Sequence, residues 1–336
     1  MSLNSLEEIA SYIVSDGKGI LAADESNPTC AKRLDTIGVE STEESRRDYR
    51  EMLFTSGALQ DNIGGVILFD ETIRQHAKDG TSLVEIINSH GALPGIKVDK
   101  GLQPIGESEE TVTVGLDGLD ERLKEYFELG AKFTKWRAVI KIGNNMPTDH
   151  CIDANMKALA DYAKIVQDNG MVPMVEPEVL MEGSHSIDDC FEVTDRSLKS
   201  LFHHLNKNEV NIKGTILKPN MVTAGATCSH QASINEVAQR TLDCLKANVP
   251  SELPAITFLS GGQSELLATA HLDAMNKIGG FNWKLSFSYG RALQAPTLKA
   301  WMGKPENVFI AQDALSHRAK MNKLAALGQW NEGLED

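Results

Sequence analysis

The chain has 336 residues, 41% of them hydrophobic, enough for one large α/β domain or two ordinary ones. Its net charge of −14 argues against nucleic acid and anionic membranes as partners, so an anionic ligand would need positive charges gathered locally. No apolar run reaches the roughly 20 residues of a membrane span. The acidic N-terminus lacks a signal pattern. The five scattered cysteines, with no Cys-x-x-Cys pair, point to a reducing, cytoplasmic compartment and away from a disulfide framework or zinc site.

No low-complexity segment or linker divides the chain, so residues 1–336 read as one domain. Taken in order, short apolar runs occur at 19–24, 65–70, 95–100, 133–137 (extending towards 142), 171–176, 214–218, 255–260 and 284–288. They are rich in Ile, Val and Leu, as buried parallel strands are. Amphipathic helical patterns lie between them at 44–60, 119–129, 154–168, 187–205, 234–247 and 265–277, and a last long helix covers 306–327. Gly130, Gly170 and Gly279 follow three of these helices, where a C-terminal cap calls for positive φ. Eight β-then-α units predict an α/β fold, a single (β/α)8 barrel with an N-terminal helical extension and a C-terminal helix. A doubly wound sheet is the structural alternative.

In such a barrel the C-terminal ends of the strands build the active site. Here they read Asp24, Asp70, Lys100, Lys135 with Arg137, Glu176 with Glu178, Lys218, Ser260-Gly261-Gly262 and Ser288-Tyr289-Gly290-Arg291. Lys218 is the most informative, because it closes an apolar run that Pro219 stops. Burial disfavours an ammonium ion, and a neutral amine attacks carbonyls to form Schiff bases. The plainer alternative is a strand-end lysine that snorkels to water. Alternation puts Lys135, Arg137 and Lys141 on one face, with Trp136, Ala138 and Ile140 on the other. Met174, Glu176 and Glu178 share a face in the same way, unless Pro177 breaks the strand. A cationic strand beside a carboxylate strand, with Lys218 on the next, can carry the proton steps of imine formation. The competing reading is a charge-balanced network that holds the barrel mouth.

The loops after the last two strands are the usual phosphate site of these barrels. Ser260-Gly261-Gly262 exposes amides at a helix start, and Gly290-Arg291 adds backbone access and a guanidinium. Across the barrel, Ser26, Arg33 and Lys100 can hold a second phosphate, although Arg33 can equally pair with acids on its own helix. The nine histidines include no His-x-His or HExxH motif and none ends a candidate strand, so no metal site is predicted. His203 and His204 are consecutive on a helix and do not share a face.

The motifs GKGILAADES at 17–26, KVDKG at 97–101, KWR at 135–137, VEPE at 175–178, LKPNMV at 217–222, FLSGGQ at 258–263 and FSYGRAL at 287–293 are colinear along nearly the whole chain. The set resembles class I fructose-1,6-bisphosphate aldolase. Carried over to these positions, the resemblance implies that Lys218 forms a Schiff base with a ketose carbonyl. Glu176 is then the acid/base for carbinolamine dehydration, Lys135 stabilises charge there and Glu178 supports Glu176. Asp24 takes the proton of the C4 hydroxyl. Ser260, Gly261, Gly262, Ser288, Gly290 and Arg291 hold the C1 phosphate, Ser26, Arg33 and Lys100 hold the C6 phosphate, and the KWR motif adds Arg137 to the substrate-binding set. The resemblance further implies a sugar bisphosphate as the small-molecule substrate, no metal or other cofactor, and a homo-oligomer, commonly a tetramer. Two departures stand out. Asn27-Pro28-Thr29 replaces the Thr-Gly-Ser of animal members, leaving Thr29 as a candidate hydroxyl, and the chain stops at Asp336 without their long tail and terminal tyrosine. Rival readings are a transaldolase-like Schiff-base barrel acting on monophosphates, or a silent sugar-phosphate binder or scaffold. Two phosphate clusters weigh against the first and the Lys218–Glu176 pair against the second.

Overall fold

The computed structural model describes residues 3–336, in which the eight predicted runs form a closed barrel of parallel strands. They are β1 (Gly19–Ala23), β2 (Ile63–Leu68), β3 (Leu93–Lys97), β4 (Phe133–Ile140), β5 (Val172–Val179), β6 (Ile216–Leu217), β7 (Ala255–Phe258) and β8 (Lys284–Tyr289). Each strand pairs with the next in sequence. β8 closes on β1 with Ile20 opposite Ser288 and Leu21 opposite Tyr289, which rules out the doubly wound sheet. A small antiparallel hairpin, Leu102–Pro104 with Thr111–Thr113, projects after β3.

The strand pleat sorts side chains into two apolar layers. Leu21, Trp136, Ala138, Ile140, Val175, Leu217 and Phe258 point outward into a continuous core shared with the surrounding helices. Ile20, Ala22, Phe133, Val172, Met174, Ile216 and Ala255 point inward and pack with Ile9, Ala10, Ile13 and Val14. Three of those last four lie on the helix Leu6–Ile13, which therefore plugs the N-terminal end of the barrel. The plug seats closely: a Cβ at Gly64 would lie 2.0 Å from the Ile13 carbonyl oxygen, so β2 needs glycine there. Above this apolar floor each inward row turns polar. Asp24 follows Ala22, Lys135 follows Phe133, Glu176 follows Met174, and Lys218 follows Ile216, at steps of two.

Several boundaries differ from the sequence expectation. β2 ends at Leu68, and Asp70 opens the short helix Asp70–Ile73. Its carboxylate accepts from Tyr126 Oη and Arg74 Nη2, each at 2.9 Å, so Asp70 is no part of the mouth. β5 runs through Pro177 to Val179, because the missing N–H costs only one ladder bond. The helix expected over 44–60 is two, Glu43–Phe54 and Ala58–Asn62. The helix Asn27–Asp35 carried no periodic signal, since only Cys30 and Leu34 on it are buried. Gly130, Gly170 and Gly279 do take positive φ, at 103°, 74° and 66°.

Candidate active site

A cavity of about 340 Å³ opens at the C-terminal end of the strands. At its base, Lys218 sits one residue past β6, held by its own N–H donating to the Val175 carbonyl at 2.8 Å. Lys218 and Glu176 are only 4% and 3% exposed, and the Lys218 Nζ lies 3.0 Å from Glu176 Oε1. The other carboxylate oxygen, Oε2, lies 3.3 Å from Lys135 Nζ, which in turn lies 2.7 Å from Asp24 Oδ2. The sequence Asp24–Lys135–Glu176–Lys218 is thus one continuous chain of alternating charge across the floor. Arg137 pairs with Glu178 one step higher.

Asp24, Lys135 and Glu176 set one another's protonation. Burial alone would push the Glu176 carboxyl up, but Lys135, then Lys218 and Arg137, outweigh it and hold the group below its ordinary range. Burial likewise opposes ionisation of Asp24, and Lys135 and Lys218 overcome it, so that carboxyl is also held low. Lys135 shows the converse: burial disfavours its charge, but Asp24 and Glu176 raise it above the usual ammonium range. Both acids are therefore carboxylates at neutral pH, ready to accept protons, with Lys135 a permanent cation between them.

Two clusters of hydroxyl, amide and cationic groups flank this floor. Gly261 and Gly262 take φ of 52° and 89°, conformations that turn the loop after β7 towards the start of the helix Glu265–Ile278. Ser260, Ser288, Gly290 and Arg291 line the same wall. The Ser288 Oγ is buried without a hydrogen-bond partner, as a hydroxyl reserved for a ligand would be. Opposite, Ser26 and Thr29 share a hydroxyl–hydroxyl bond of 3.1 Å. Arg33 Nε lies 3.1 Å from Glu25 Oε1, and Glu25 Oε2 is 2.9 Å from the fully buried Arg50. Arg33 also approaches Gly290, where a Cβ would come within 3.7 Å of its Nη2, so Arg33 sits between the two clusters.

Of the residues given a catalytic or substrate-binding role, all line the cavity except Lys100, and of the other strand-end residues Asp70 and Tyr289 do not line it. β3 ends at Lys97, and Lys97 lines the cavity instead, while Lys100 is exposed at the base of the hairpin, its N–H donating to Val114. Alternation contained that answer. Gly95 faces inward, since its Cβ would meet the Phe133 ring at 2.4 Å, and Lys97 is two residues on whereas Lys100 is five. Glu25, Glu182 and Leu259 also line the cavity. Glu25 was legible only as part of its motif, and the other two lie just beyond strand ends without a periodic signal.

Fold and site together define a barrel with a buried lysine–carboxylate centre between two clusters of hydroxyl, amide and cationic groups. The family model for class-I fructose-bisphosphate aldolase matches residues 5–336. A probable fructose-bisphosphate aldolase class 1 of Xanthomonas axonopodis pv. citri is 54% identical over 98% of this chain and 99% of its own. The cytosolic fructose-bisphosphate aldolase 4 of Arabidopsis thaliana is 52% identical over 95% of this chain and 82% of its own. Among solved structures, fructose-bisphosphate aldolase from Plasmodium falciparum, in complex with TRAP and a small-molecule inhibitor, superposes with a TM-score of 0.96. It is 47% identical and covers 98% of this chain and 95% of its own. The chain belongs to the class I fructose-bisphosphate aldolase family, enzymes that break and make carbon–carbon bonds.

Proposed function

We propose that this enzyme cleaves D-fructose 1,6-bisphosphate reversibly to dihydroxyacetone phosphate and D-glyceraldehyde 3-phosphate through an imine on Lys218, without a metal ion. The observation that carries this reading is the 3.0 Å approach of Lys218 Nζ to Glu176 Oε1 on a buried floor between two clusters suited to phosphates. The Glu176 carboxylate, kept ionised by the neighbouring cations, takes one proton from the Lys218 ammonium. The freed amine adds to the C2 carbonyl and passes a second proton to the resulting alkoxide, giving the carbinolamine, while the first stays on Glu176. Glu176 returns that proton to the carbinolamine hydroxyl, which leaves as water, and Lys135 steadies the negative charge that Glu176 regains. Glu178, paired with Arg137, supports the neighbouring Glu176 on the same face of β5. Asp24 takes the C4 hydroxyl proton. The electrons of the C3–C4 bond then flow into the iminium, giving an enamine, and the aldehyde product departs. Protonation at C3 and hydrolysis release the second product and restore the lysine.

Ser260, Gly261, Gly262, Ser288, Gly290 and Arg291 hold the C1 phosphate in this reading. Ser26, Thr29 and Lys97 hold the C6 phosphate, with Arg33 between the two. Arg137 completes the wall near the sugar. The same C1–C4 end is present in sedoheptulose 1,7-bisphosphate, and the proposal extends to that substrate. It also includes a cytoplasmic location, in line with the cytosolic plant relatives, and a homotetramer, in line with the family resemblance and testable by light scattering.

Borohydride added with dihydroxyacetone phosphate should inactivate the enzyme and leave a reduced adduct on Lys218, located by peptide mapping. Labelling that survives Lys218→Ala, or full activity in that variant, would remove the mechanism. Activity should also withstand a chelator, and a loss rescued by zinc would point to different aldolase chemistry.

A further inference from the structure

The helix Asn27–Asp35 carries the hydroxyl and guanidinium of Thr29 and Arg33, and Ser26 stands at its N-cap. Ser26 makes no side-chain bond to the helix backbone, so its hydroxyl and that of Thr29 bond only to each other. Such a helix end binds an anion well only if its dipoles are held in register with the ligand. Inside the cavity the Arg33–Glu25 pair holds the body of this helix, and behind it Arg50 donates to the Glu25 carbonyl and to Cys30 Sγ, but none of these groups bonds Asn27 in the first turn. A further anchor lies outside it, at Asn27, one of the positions where the chain departs from the animal pattern. The Asn27 Nδ2 donates to Glu71 Oε2 at 3.1 Å. Glu71 belongs to the helix Asp70–Ile73 that follows β2, and does not line the cavity.

Glu71 is itself gripped from the helix Glu43–Phe54. Arg46 donates Nε to Oε1 at 2.7 Å and Nη2 to Oε2 at 2.6 Å, a bidentate pair in which both side chains are largely buried. Arg46 Nη1 is fastened in turn to the Ser41 hydroxyl at 3.2 Å. Three elements therefore meet at one carboxylate, beside a helix terminus that would meet a phosphate. The charge matters as much as the reach, because an unpaired carboxylate at that terminus would compete with the phosphate for the same dipole.

We infer that Glu71 is a positioning residue for the distal phosphate. Through Asn27 it aligns the start of the helix Asn27–Asp35, and Arg46 both orients it and cancels its charge. This rests on the reading that Ser26, Thr29 and Arg33 meet that phosphate.

The test compares fructose 1,6-bisphosphate with fructose 1-phosphate, which lacks the distal phosphate but undergoes the same bond cleavage. Wild type, Asn27→Ala, Glu71→Gln and Arg46→Gln are assayed on both. In the first two variants KM for the bisphosphate should rise about tenfold with kcat held, inside the roughly 10²-fold that a misplacement of about 1 Å can cost. Parameters for the monophosphate should stay within about twofold of wild type, a split that loss of folding alone would not produce. Arg46→Gln, which leaves the Glu71 charge unmatched, should raise the bisphosphate KM further, and adding Glu71→Gln to it should restore part of the loss. Equal losses on both substrates, or no change on either, would overturn the inference. Asn27→Ala removes no charge and guards against a folding failure of the other two. Failure of wild-type enzyme to be trapped by borohydride would instead strike the underlying mechanism, and is read in a separate assay.

Discussion

At the scale of single residues, Glu176 is the group whose two oxygens serve two different cations, Lys218 at 3.0 Å and Lys135 at 3.3 Å. Glu176→Gln keeps the shape but cannot take the proton that Lys218 releases. Substrate binding should persist while imine formation slows by roughly 10²–10⁴, the range for a lost general acid/base. An unchanged rate of borohydride trapping would move the role to another residue, Glu178 first. A second residue-scale consequence concerns His271, which is buried with its Nδ1 bonded to Gln263 Oε1 at 2.6 Å and its Nε2 unpartnered. Burial pushes this imidazole down to about 4 from its ordinary 6.5. Between those values the unfolded chain binds a proton that the folded one refuses, so stability is complete above about pH 6.5 and is lost as pH falls towards 4. In His271→Asn the slope of unfolding free energy over that window should fall by one proton, about 1.4 kcal/mol per pH unit. Denaturant melts across the window would contradict this if the slope stayed the same.

At the scale of elements, the helix Leu6–Ile13 is the piece the barrel relies on from outside its own repeat. It fills the N-terminal end with Ile9, Ala10 and Ile13, and leaves the opposite end for polar groups. Its seat depends on the bare backbone of Gly64 against the Ile13 carbonyl. Gly64→Ala places a methyl where no flexible side chain can yield, so either β2 or the helix must shift. The cost should reach about 3 kcal/mol, the upper part of the usual overpacking range. Equilibrium unfolding in urea measures it, and a change under about 0.5 kcal/mol would mean that the plug is not seated this way.

At the scale of the whole molecule, the C-terminal segment is tied down far along the chain from the chemistry. Glu335 accepts from Arg318 Nη1 at 2.6 Å, Nη2 at 2.7 Å and Trp330 Nε1 at 2.7 Å. Trp330 is further fixed by Asp273 and Lys277. No residue after Arg291 lines the cavity. Truncation after Gln329 should therefore leave kcat within a few-fold of the intact enzyme, under about 1 kcal/mol of barrier. The same truncation strands the buried Arg318 without its carboxylate, at a cost of about 3–5 kcal/mol in stability. A thermal melt and a steady-state assay separate the two effects. Loss of C3-proton exchange with an unchanged melt would give the tail a catalytic role instead.

The eight strands and their order were legible because buried parallel strands are written as contiguous apolar runs, and the site because polar residues at the ends of such runs have few other reasons to exist. Alternation alone assigned Lys135, Arg137, Glu176 and Glu178 to the inner face, and applied to β3 it would have chosen Lys97 over Lys100. Other features depended on contacts distant in sequence, which no local pattern encodes. The plug of the helix Leu6–Ile13 against Gly64 spans the first βα unit, and the Asp24–Lys135–Glu176–Lys218 chain draws on four strands. The carboxylate of Glu71, held by Arg46 and by Asn27, joins three helices, two of which carry almost no periodic signal. Sequence by itself determined which residues could be polar inside the barrel, because the pleat has a period of two. Only tertiary structure decided which of them touch, because closure brings separate strand ends within the few ångströms over which charges set one another's protonation.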